Sequence, residues 1–321
     1  MGKRGRFAPT PSGYMHLGNA QTALLAWLQM RSAGGEFLLR IEDIDKPRSK
    51  AALIEQLVED LRFLGIDWDE GPDVGGPYAP YVQSRRDERY EQALEALDKA
   101  DRLYPCYCSR AELAAIASAP HGLAAEGPAY PGTCRCLTAE ERAARAVSKT
   151  PSLRFTVPED PMRFVDAIAG EQQAPSGNGG DFVVKRADGI FAYQLAVVVD
   201  DAAMAVTDVL RGADLLDSTP RQLMIYEALG LTPPRFAHVP LLLAQDGGKL
   251  SKRDEAIRIA QMRGCGAKPE QIVGLLAYWS GLIDRPASVK ASELIPMFDL
   301  DKVARDTVMV TDEALGPLLH G

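Results

Sequence analysis

The sequence has neither a long apolar run nor an apolar leader. Its longest apolar stretches, such as 195–199 and 239–244, are far shorter than the roughly 18 residues that span a membrane. The first residues lead into Phe7-Ala8-Pro9 without the apolar stretch that a secretory signal needs. We therefore expect a cytoplasmic protein with no membrane partner.

An excess of basic residues is also missing. The chain has 36 Lys and Arg against 44 Asp and Glu, which gives a net charge of −8. Proteins that neutralise many nucleic-acid phosphates usually have the opposite balance, whereas solubility alone accounts for this one. Any nucleic-acid contact should therefore be confined to a limited basic rim and should weaken steeply with salt.

Cysteine is scarce but clustered. The sequence contains five cysteines, an odd number, and four of them lie between Cys106 and Cys136. An odd count without a secretory signal argues against a disulfide framework. Clustered cysteines in such a protein favour a metal site.

Length and composition indicate a folded protein of about two domains. The chain has 321 residues, and a domain takes roughly 150. Hydrophobic residues make up 46% and charged residues 25%, which is ordinary for a globular protein and excludes disorder as the main description.

Strand and helix patterns alternate at the start of the chain. Residues 4–8 and 37–41 predict short strands, and apolar residues at three- and four-residue spacing predict a helix over 18–31 between them. Leucines at helical spacing over 53–64 predict a second helix, and 85–100 predicts a third. This order predicts an α/β fold with a parallel sheet covered by helices.

The alternation breaks from Cys106 to about Ser176, in a stretch rich in Ala, Pro and Gly that we interpret as an insertion. The tail from Asp254 predicts mainly helices. Between the insertion and this tail, the pattern predicts strands over 181–185, 191–199, 205–211 and 241–243, and a helix over 220–229.

Two short motifs suit phosphate groups. Met15-His16-Leu17-Gly18 opens a predicted helix, whose first N–H groups and partial positive charge attract anions. Lys249-Leu250-Ser251-Lys252-Arg253 follows a glycine-rich loop and can bring ammonium groups to phosphate oxygens. Taken alone, the first also fits an ordinary helix cap and the second an ordinary solvated loop.

Together the motifs are more specific. His16-Leu17-Gly18-Asn19 resembles the His-Ile-Gly-His signature of class I aminoacyl-tRNA synthetases, and 249–253 resembles their Lys-Met-Ser-Lys-Ser signature. The stretches 6–13 and 40–45 resemble the glutamyl branch of that class. The resemblance continues through 193–201 and 209–212 and covers essentially the whole chain.

The resemblance implies an α/β fold with a Rossmann-like parallel sheet, an inserted zinc-bearing α+β subdomain and a short C-terminal helical region that contacts the tRNA stem. We expect the two halves of the catalytic domain at 1–104 and 181–244, the insertion at 105–180, and the lysine-bearing loop with its helical region at 245–321. Only 72 residues follow Lys249, which we expect to be too few for the anticodon-binding region of a full glutamyl enzyme.

This length favours a resemblance to the shortened paralogues of that branch, the glutamyl-Q tRNA(Asp) synthetases. They imply ATP-dependent activation of glutamate, with Mg²⁺ accompanying ATP, and transfer to the queuosine base in the anticodon of tRNA(Asp). A monomer is favoured. Two alternatives stay open: a compact glutamyl-tRNA synthetase that charges tRNA(Glu), and a non-catalytic nucleotide- or RNA-binding paralogue.

The resemblance also implies a glutamate pocket. Arg6 and Arg211 suit the two carboxylates, because guanidinium binds carboxylate in a bidentate fork, and Glu42 suits the ammonium group. Tyr193 can fix the pose with one hydrogen bond. The remaining expected glutamate contacts come from Phe7, Ala8, Pro9 and Thr10.

The same resemblance assigns the catalytic and ATP-binding residues. His16, Gly18, Lys249 and Lys252 are the expected catalytic residues, and Asn19 joins His16, Gly18 and Lys252 around ATP. The chain departs from the pattern at Val197, where related enzymes tend to have Asn. Because Val cannot hydrogen-bond, we expect weaker glutamate binding, which Val197→Asn should reverse.

The cysteine cluster matches the zinc motif of this family. Its Cys-x-Cys and Tyr-x3-Cys parts fall on Cys106, Cys108, Tyr130 and Cys134, which can fill a tetrahedral structural zinc site. A Tyr ligand is unusual because a phenol must be ionised by the metal. Cys136 and His121 are the substitutes if Tyr130 is not bound.

Overall fold

The computed structural model of the chain describes residues 2–45, 49–109, 112–113, 122–123, 127–128, 130–174, 176–248, 250 and 257–319. The helices there are α1 (Leu17–Ser32), α2 (Ala51–Phe63), α3 (Asp87–Lys99), α4 (Ala139–Ala146), α5 (Tyr193–Ala203), α6 (Thr219–Ala228), α7 (Ile259–Gly264), α8 (Pro269–Trp279), α9 (Ala291–Leu294) and α10 (Asp312–Leu319). The strands are β1 (Arg4–Phe7), β2 (Glu36–Leu39), β3 (Leu103–Cys106), β4 (Gly122–Leu123), β5 (Gly127–Pro128), β6 (Ser152–Phe155), β7 (Arg163–Asp166), β8 (Gly170–Gln173), β9 (Phe182–Lys185), β10 (Asp208–Gly212), β11 (Arg235–Val239), β12 (Leu242–Leu243) and β13 (Val308–Met309).

A sheet of four parallel strands forms the centre, in the order β11–β10–β1–β2. The chain leaves β1 through α1 to reach β2 on one side, and β10 pairs with β1 on the other side. The strand order therefore reverses at β1. In open α/β sheets, ligands bind at such a point, outside the carboxyl ends of the strands.

Helix α1 covers one face of this sheet. Eleven of its residues are buried, among them Leu24, Leu28 and Met30. Gly5 in β1 is required for this contact, because a Cβ there would lie 2.6 Å from Cγ of Met30. The close approach holds the last turn of α1 against the first half of β1.

The inserted region builds its own small sheets. Strands β3, β6 and β9 form an antiparallel sheet, and β7 and β8 form a hairpin. The hairpin is attached to the central sheet, because the backbone N–H of Ala167 donates to the carbonyl of Phe236 in β11 at 2.9 Å. The insertion therefore touches the strand that borders β10.

Helices α8 to α10 follow the central sheet and share its main core. Ile272, Leu276, Leu294 and Leu318 are buried in the same apolar cluster as Leu24 of α1. Among the helices that the structure describes, none is both long and apolar enough to cross a membrane.

The structure corrects one sequence-based element. The sequence predicts a strand over 191–199, but α5 spans Tyr193–Ala203. Eight of its 11 residues are buried, including Gln194, Asp200 and Asp201, so polar positions do not mark an exposed face of this helix. Burial on nearly all sides outweighs the strand preference of the valines.

Candidate active site

A cavity of about 580 Å³ opens at the carboxyl ends of β1 and β10. This is the point where the strand order reverses. Its wall contains the end of β1, the start of α1, the end of β10 and the start of α5. The wall includes every described residue that the sequence assigned to glutamate or ATP: Arg6, Phe7, Ala8, Pro9, Thr10, His16, Gly18, Asn19, Glu42, Tyr193 and Arg211.

Arg6 points from β1 into a buried ion network. Its Nε lies 3.3 Å from Oδ1 of Asp201, and Nη1 of Arg40 donates to the same oxygen at 2.6 Å. Burial alone would raise the pKa of Asp201, but Arg40 and Arg6 outweigh it and hold this pKa below its ordinary value. Asp201 is therefore ionised and orients Arg6 at the cavity wall.

Glu42 closes the other end of the network. Its Oε1 accepts from Nη2 of Arg40 at 3.0 Å, and its backbone N–H donates to the carbonyl of Pro9 at 3.0 Å. Burial raises the pKa of Glu42, and the opposing effect of Arg40 and Arg6 is smaller. A second cation beside this carboxylate would stabilise its charged form.

Arg211, near the end of β10, is held on three sides. Nε donates to Nε2 of His238 at 2.9 Å, and Nη2 contacts Oγ1 of Thr219 at 2.9 Å and the carbonyl of Leu215 at 3.3 Å. Nη1 is buried and has no acceptor among the residues that the structure describes. An anionic ligand would supply one.

Tyr193 is the first residue of α5 and lines the cavity. Burial raises the pKa of its hydroxyl, so the group stays protonated and can donate a hydrogen bond. Val197, one turn further on, is 1% exposed in an apolar cluster and is not part of the cavity wall. Val197 does not line the cavity, so no direct contact explains its expected effect on glutamate binding.

His16 caps the N-terminus of α1. Its Nδ1 accepts from the backbone N–H of Asn19 at 3.4 Å. A Cβ at Gly18 would lie 3.2 Å from the His16 ring, so glycine leaves room for both the ring and a close ligand. The first turn of α1 therefore presents N–H groups beside a histidine, which suits a phosphate group.

Lys249 and Lys252 lie outside the described residues. The residues on either side of 251–256 are at the cavity: Leu250 lines it, and the backbone N–H of Ile259 donates to the carbonyl of Met15 at 3.0 Å. Arg258 forms a β-bridge with His16. The two ends of this segment are thus tied to the entrance where α1 begins.

A second candidate site lies in the insertion. The sulfur atoms of Cys106, Cys108 and Cys134 lie within 4.8 Å of one another. The Tyr130 hydroxyl lies 3.4 Å from the sulfurs of Cys106 and Cys108 and accepts from the backbone N–H of Cys134 at 2.9 Å. Cys136 is exposed and outside this cluster, and His121 is outside the described residues.

Arg154 lies against this cluster. Its guanidinium carbon is 3.8 Å from the centroid of the Tyr130 ring. Burial would raise the pKa of Cys106, but hydrogen bonds from Tyr130 and the Cys108 backbone, together with Arg154, lower it to about 7. Three thiols and a phenol beside a cation form a donor set that fits a tetrahedral metal with anionic ligands.

Four residues that hold the wall of the cavity in place received no role from the sequence. Arg40 and Asp201 lie within motifs that carried the family resemblance, so the stretches were noticed but not the ion pair between them. Asp166 lies in the predicted insertion and His238 lies between the helix predicted over 220–229 and the strand predicted over 241–243, and no local pattern marks either one.

Comparison with known proteins identifies the family. Residues 4–316 match the family described as tRNA synthetases class I (E and Q), catalytic domain. A relative from Symbiobacterium thermophilum named glutamyl-Q tRNA(Asp) synthetase is 63% identical over 99% of this chain and 98% of its own length. A glutamate–tRNA ligase from Heliobacterium modesticaldum is 42% identical over 97% of this chain and 63% of its own length.

A solved structure shows the same fold. The crystal structure of a glutamate-tRNA synthetase from Elizabethkingia anophelis superposes with a TM-score of 0.88 at 31% sequence identity. The match covers 99% of this chain and 70% of that chain. The expected class I synthetase fold with its parallel sheet is therefore confirmed.

Proposed function

Because the chain belongs to the class I tRNA synthetases of the glutamate and glutamine type, and is therefore a ligase of the aminoacyl-tRNA synthetase type, we propose that it activates glutamate and transfers it to the queuosine base in the anticodon of tRNA(Asp). The observation that carries the proposal is the cavity itself. One wall combines Arg6, Arg211 and Glu42 with the capped N-terminus of α1.

Glutamate matches the charges of this cavity. Its two carboxylates suit the guanidiniums of Arg6 and Arg211, and its ammonium group suits Glu42. Tyr193 would fix the pose with its hydroxyl. The backbone of residues 7–10 would form the floor beside β1. We assign these side chains to glutamate binding as a set, since each alone would also serve an ordinary buried ion pair.

ATP would lie across the start of α1. His16 and the N–H groups of the first turn, with Gly18 and Asn19, would contact its phosphates. We assign Lys249 and Lys252 to the same phosphates, as positive charges that stabilise the developing transition state. Mg²⁺ accompanies ATP in this family. The protein's own contribution is to position reactants and balance charge.

Activation is a displacement at phosphorus. An oxygen of the glutamate α-carboxylate attacks the α-phosphorus of ATP, the bond to the β-phosphate bridging oxygen breaks, and pyrophosphate leaves. The product is glutamyl-adenylate. In the second step a hydroxyl of the queuosine cyclopentene ring attacks the glutamyl carbonyl carbon, AMP leaves, and the hydroxyl loses its proton. No protein nucleophile takes part.

We propose that Cys106, Cys108, Tyr130 and Cys134 hold a zinc ion with a structural role. All four positions around a tetrahedral ion would be filled by protein, which leaves none for a substrate. The Tyr130 hydroxyl lies 3.4 Å from the sulfurs of both Cys106 and Cys108, which favours Tyr130 over Cys136 as the fourth ligand.

We also propose the domain limits given above: a catalytic domain over 1–104 and 181–244, an insertion over 105–180, and a C-terminal region over 245–321 that contacts the tRNA stem. The queuosine acceptor rests on the name of the 63% identical relative. A second candidate is aminoacylation of tRNA(Glu), which the 42% identical glutamate–tRNA ligase favours.

The deciding experiment compares acceptors. The purified chain is incubated with ATP, labelled glutamate, and tRNA(Asp) with or without queuosine or tRNA(Glu), and glutamate-dependent exchange of pyrophosphate into ATP is measured in parallel. We expect exchange without tRNA and label only on queuosine-containing tRNA(Asp). Lys252→Ala is the control and should lose most of the exchange.

Each other result has a definite meaning. Label on tRNA(Glu) would overturn the proposed acceptor in favour of the second candidate. Absence of glutamate-dependent exchange would indicate a non-catalytic paralogue and would overturn the whole proposal. Stability of the product linkage in acid and alkali then identifies the acceptor hydroxyl.

A further inference from the structure

Three buried residues run in a line from the insertion to the cavity. Oδ2 of Asp166, at the end of β7, lies 2.6 Å from Nδ1 of His238 in β11, and Nε2 of His238 lies 2.9 Å from Nε of Arg211 in β10. Asp166 is 1% exposed, His238 2% and Arg211 3%. Bulk water therefore does not compete for either contact.

The sheet register creates the inner contact. Parallel pairing of β10 with β11 sets Arg211 directly opposite His238. Side chains at paired positions of a parallel sheet lie on the same face, so the guanidinium and the imidazole meet without any distortion of the backbone.

The donors and acceptors determine the state of the histidine. Nε of Arg211 can only donate, so Nε2 of His238 must carry a lone pair. The single proton of the neutral ring is then on Nδ1, where it donates to the Asp166 carboxylate. Burial lowers the pKa of His238, which also favours the neutral ring.

Asp166 is itself fixed by the backbone. Its Oδ1 accepts from the N–H groups of Ile168, Ala169 and His238 at 3.0, 2.8 and 3.1 Å. Burial would raise the pKa of Asp166, but the hydrogen bonds from His238 and from the Ala169 N–H outweigh it and hold this pKa below its ordinary value. The carboxylate thus ties the β7–β8 hairpin, the histidine and β11 into one unit.

We propose that Asp166 and His238 are positioning residues for substrate glutamate: they fix Nε of Arg211 so that Nη1, which has no acceptor among the described residues, is presented to a glutamate carboxylate. The inference rests on the proposed function of Arg211. It gives the insertion a part in amino-acid binding, through a carboxylate that never touches the substrate.

The test uses glutamate-dependent pyrophosphate exchange with three variants of the full chain. His238→Leu keeps the approximate volume but removes the acceptor. His238→Gln can offer its amide oxygen to Nε of Arg211. Asp166→Asn can donate to Nδ1, which would move the ring proton to Nε2 and oppose the Arg211 donor.

We expect His238→Leu and Asp166→Asn to raise KM for glutamate about 10- to 100-fold, the worth of a hydrogen bond to a charged group. KM for ATP should change little, and His238→Gln should restore glutamate binding to within a few-fold. Trp27→Phe is the matched control. It loses a 2.6 Å hydrogen bond from its indole N–H to the exposed carboxylate of Asp67 and should leave KM for glutamate unchanged.

A second measurement does not depend on activity. The sequence has only four histidines, so ¹⁵N spectra of the imidazole nitrogens can be assigned with His238→Gln as the blank. We expect a protonated Nδ1 and an unprotonated Nε2. A proton on Nε2, or equal loss of glutamate binding in the Leu and Gln variants, would overturn the proposal. Absence of exchange in the wild type would instead overturn the proposed function, and the spectra would still report the tautomer.

Discussion

At the scale of single residues, the cavity is built around a charge imbalance. Arg6, Arg40, Arg86 and Arg211 lie with Glu42, Asp200 and Asp201 in one buried network, so four guanidiniums meet three carboxylates. Buried charges without partners are costly. A ligand with two carboxylates and one ammonium group carries a net charge of −1 and would complete the balance.

Glu42 should give the amino-acid site a pH dependence. Burial raises its pKa, so it takes up a proton at a higher pH than an exposed carboxyl does, and the neutral form no longer attracts an ammonium group. We expect KM for glutamate to rise as pH falls from about 8 to about 5. In Glu42→Gln, KM should be about 10- to 100-fold higher and nearly flat over that range.

Pyrophosphate exchange across this pH range measures the effect, with KM for ATP as the internal control. A Glu42→Gln variant that keeps the acid-side rise in KM for glutamate would show that another group is responsible.

Sequence reasoning found the residues that touch the cavity but not those that hold them. Arg6 and Glu42 lie in motifs shared with a known family, so the resemblance was enough to single them out. His238 contacts Arg211 only because two strands pair in one register, and Asp166 reaches His238 from 72 residues away. Such contacts leave no local trace in a sequence.

At the scale of elements, helix α2 presses a buried carboxyl against α7. Asp60 accepts from Nε2 of Gln56 at 3.0 Å, but its Oδ2 is buried without a partner among the described residues, and Arg263 is 3.8 Å away. Burial raises the pKa of Asp60 from 3.8 to about 6. The packing of these helices therefore favours the protonated acid.

Asp60→Asn should stabilise the protein at neutral pH. Between pH 3.8 and about 6 the folded state binds more protons at Asp60 than the unfolded state does, so stability falls as pH rises through this range. We expect a gain of roughly 1–3 kcal/mol near neutral pH and none near pH 4, measured by thermal unfolding.

Glu59→Gln is the matched control, because Glu59 is largely exposed and its ion pair with Arg263 should contribute little. Equal stabilisation by Asp60→Asn at acid and neutral pH would contradict the burial argument.

The cysteine cluster connects two segments of the insertion. Cys106 is the last residue of β3 and Cys108 follows two residues later, whereas Tyr130 and Cys134 come from a later loop. We expect the purified protein to contain about one equivalent of zinc by elemental analysis, since three thiolates and one phenolate complete a tetrahedral site. Cys134→Ser should lose the metal, and Tyr130→Phe should bind it more weakly.

Cys136→Ser is the control and should retain zinc, because Cys136 is exposed and outside the cluster. Zinc loss in Cys136→Ser or His121→Ala together with full retention in Tyr130→Phe would show that the fourth ligand is not Tyr130.

Most elements could be located from periodicity, and the exception has a physical cause. Helix α1 agrees with its predicted limits to within a residue, although 11 of its 16 residues are buried. Helix α5 contains three consecutive β-branched residues, Val197 to Val199, which favour a strand by local preference. Tertiary burial overrides the local preference of the valines there, and a sequence does not show that burial.

At the scale of the whole molecule, two motifs 233 residues apart were enough to predict the class of fold. The mode of attachment between the insertion and the sheet could not be predicted in the same way. It depends on Asp166 and on one backbone hydrogen bond from Ala167 to Phe236. These join parts of the chain whose sequences show no relation to each other.

The pairing of β1 with β10 also has a consequence for synthesis. These central neighbours are separated by about 200 residues, as the hydrogen bond between Arg4 and Thr207 shows. At about 5–20 residues per second, a ribosome needs roughly 10–40 s to make the intervening chain. During that time β1 has an open edge and Arg6 lacks both Asp201 and Arg211. The amino-acid pocket thus cannot exist on a nascent chain that ends before β10, and folding of the catalytic sheet must wait until more than half of the protein has been made.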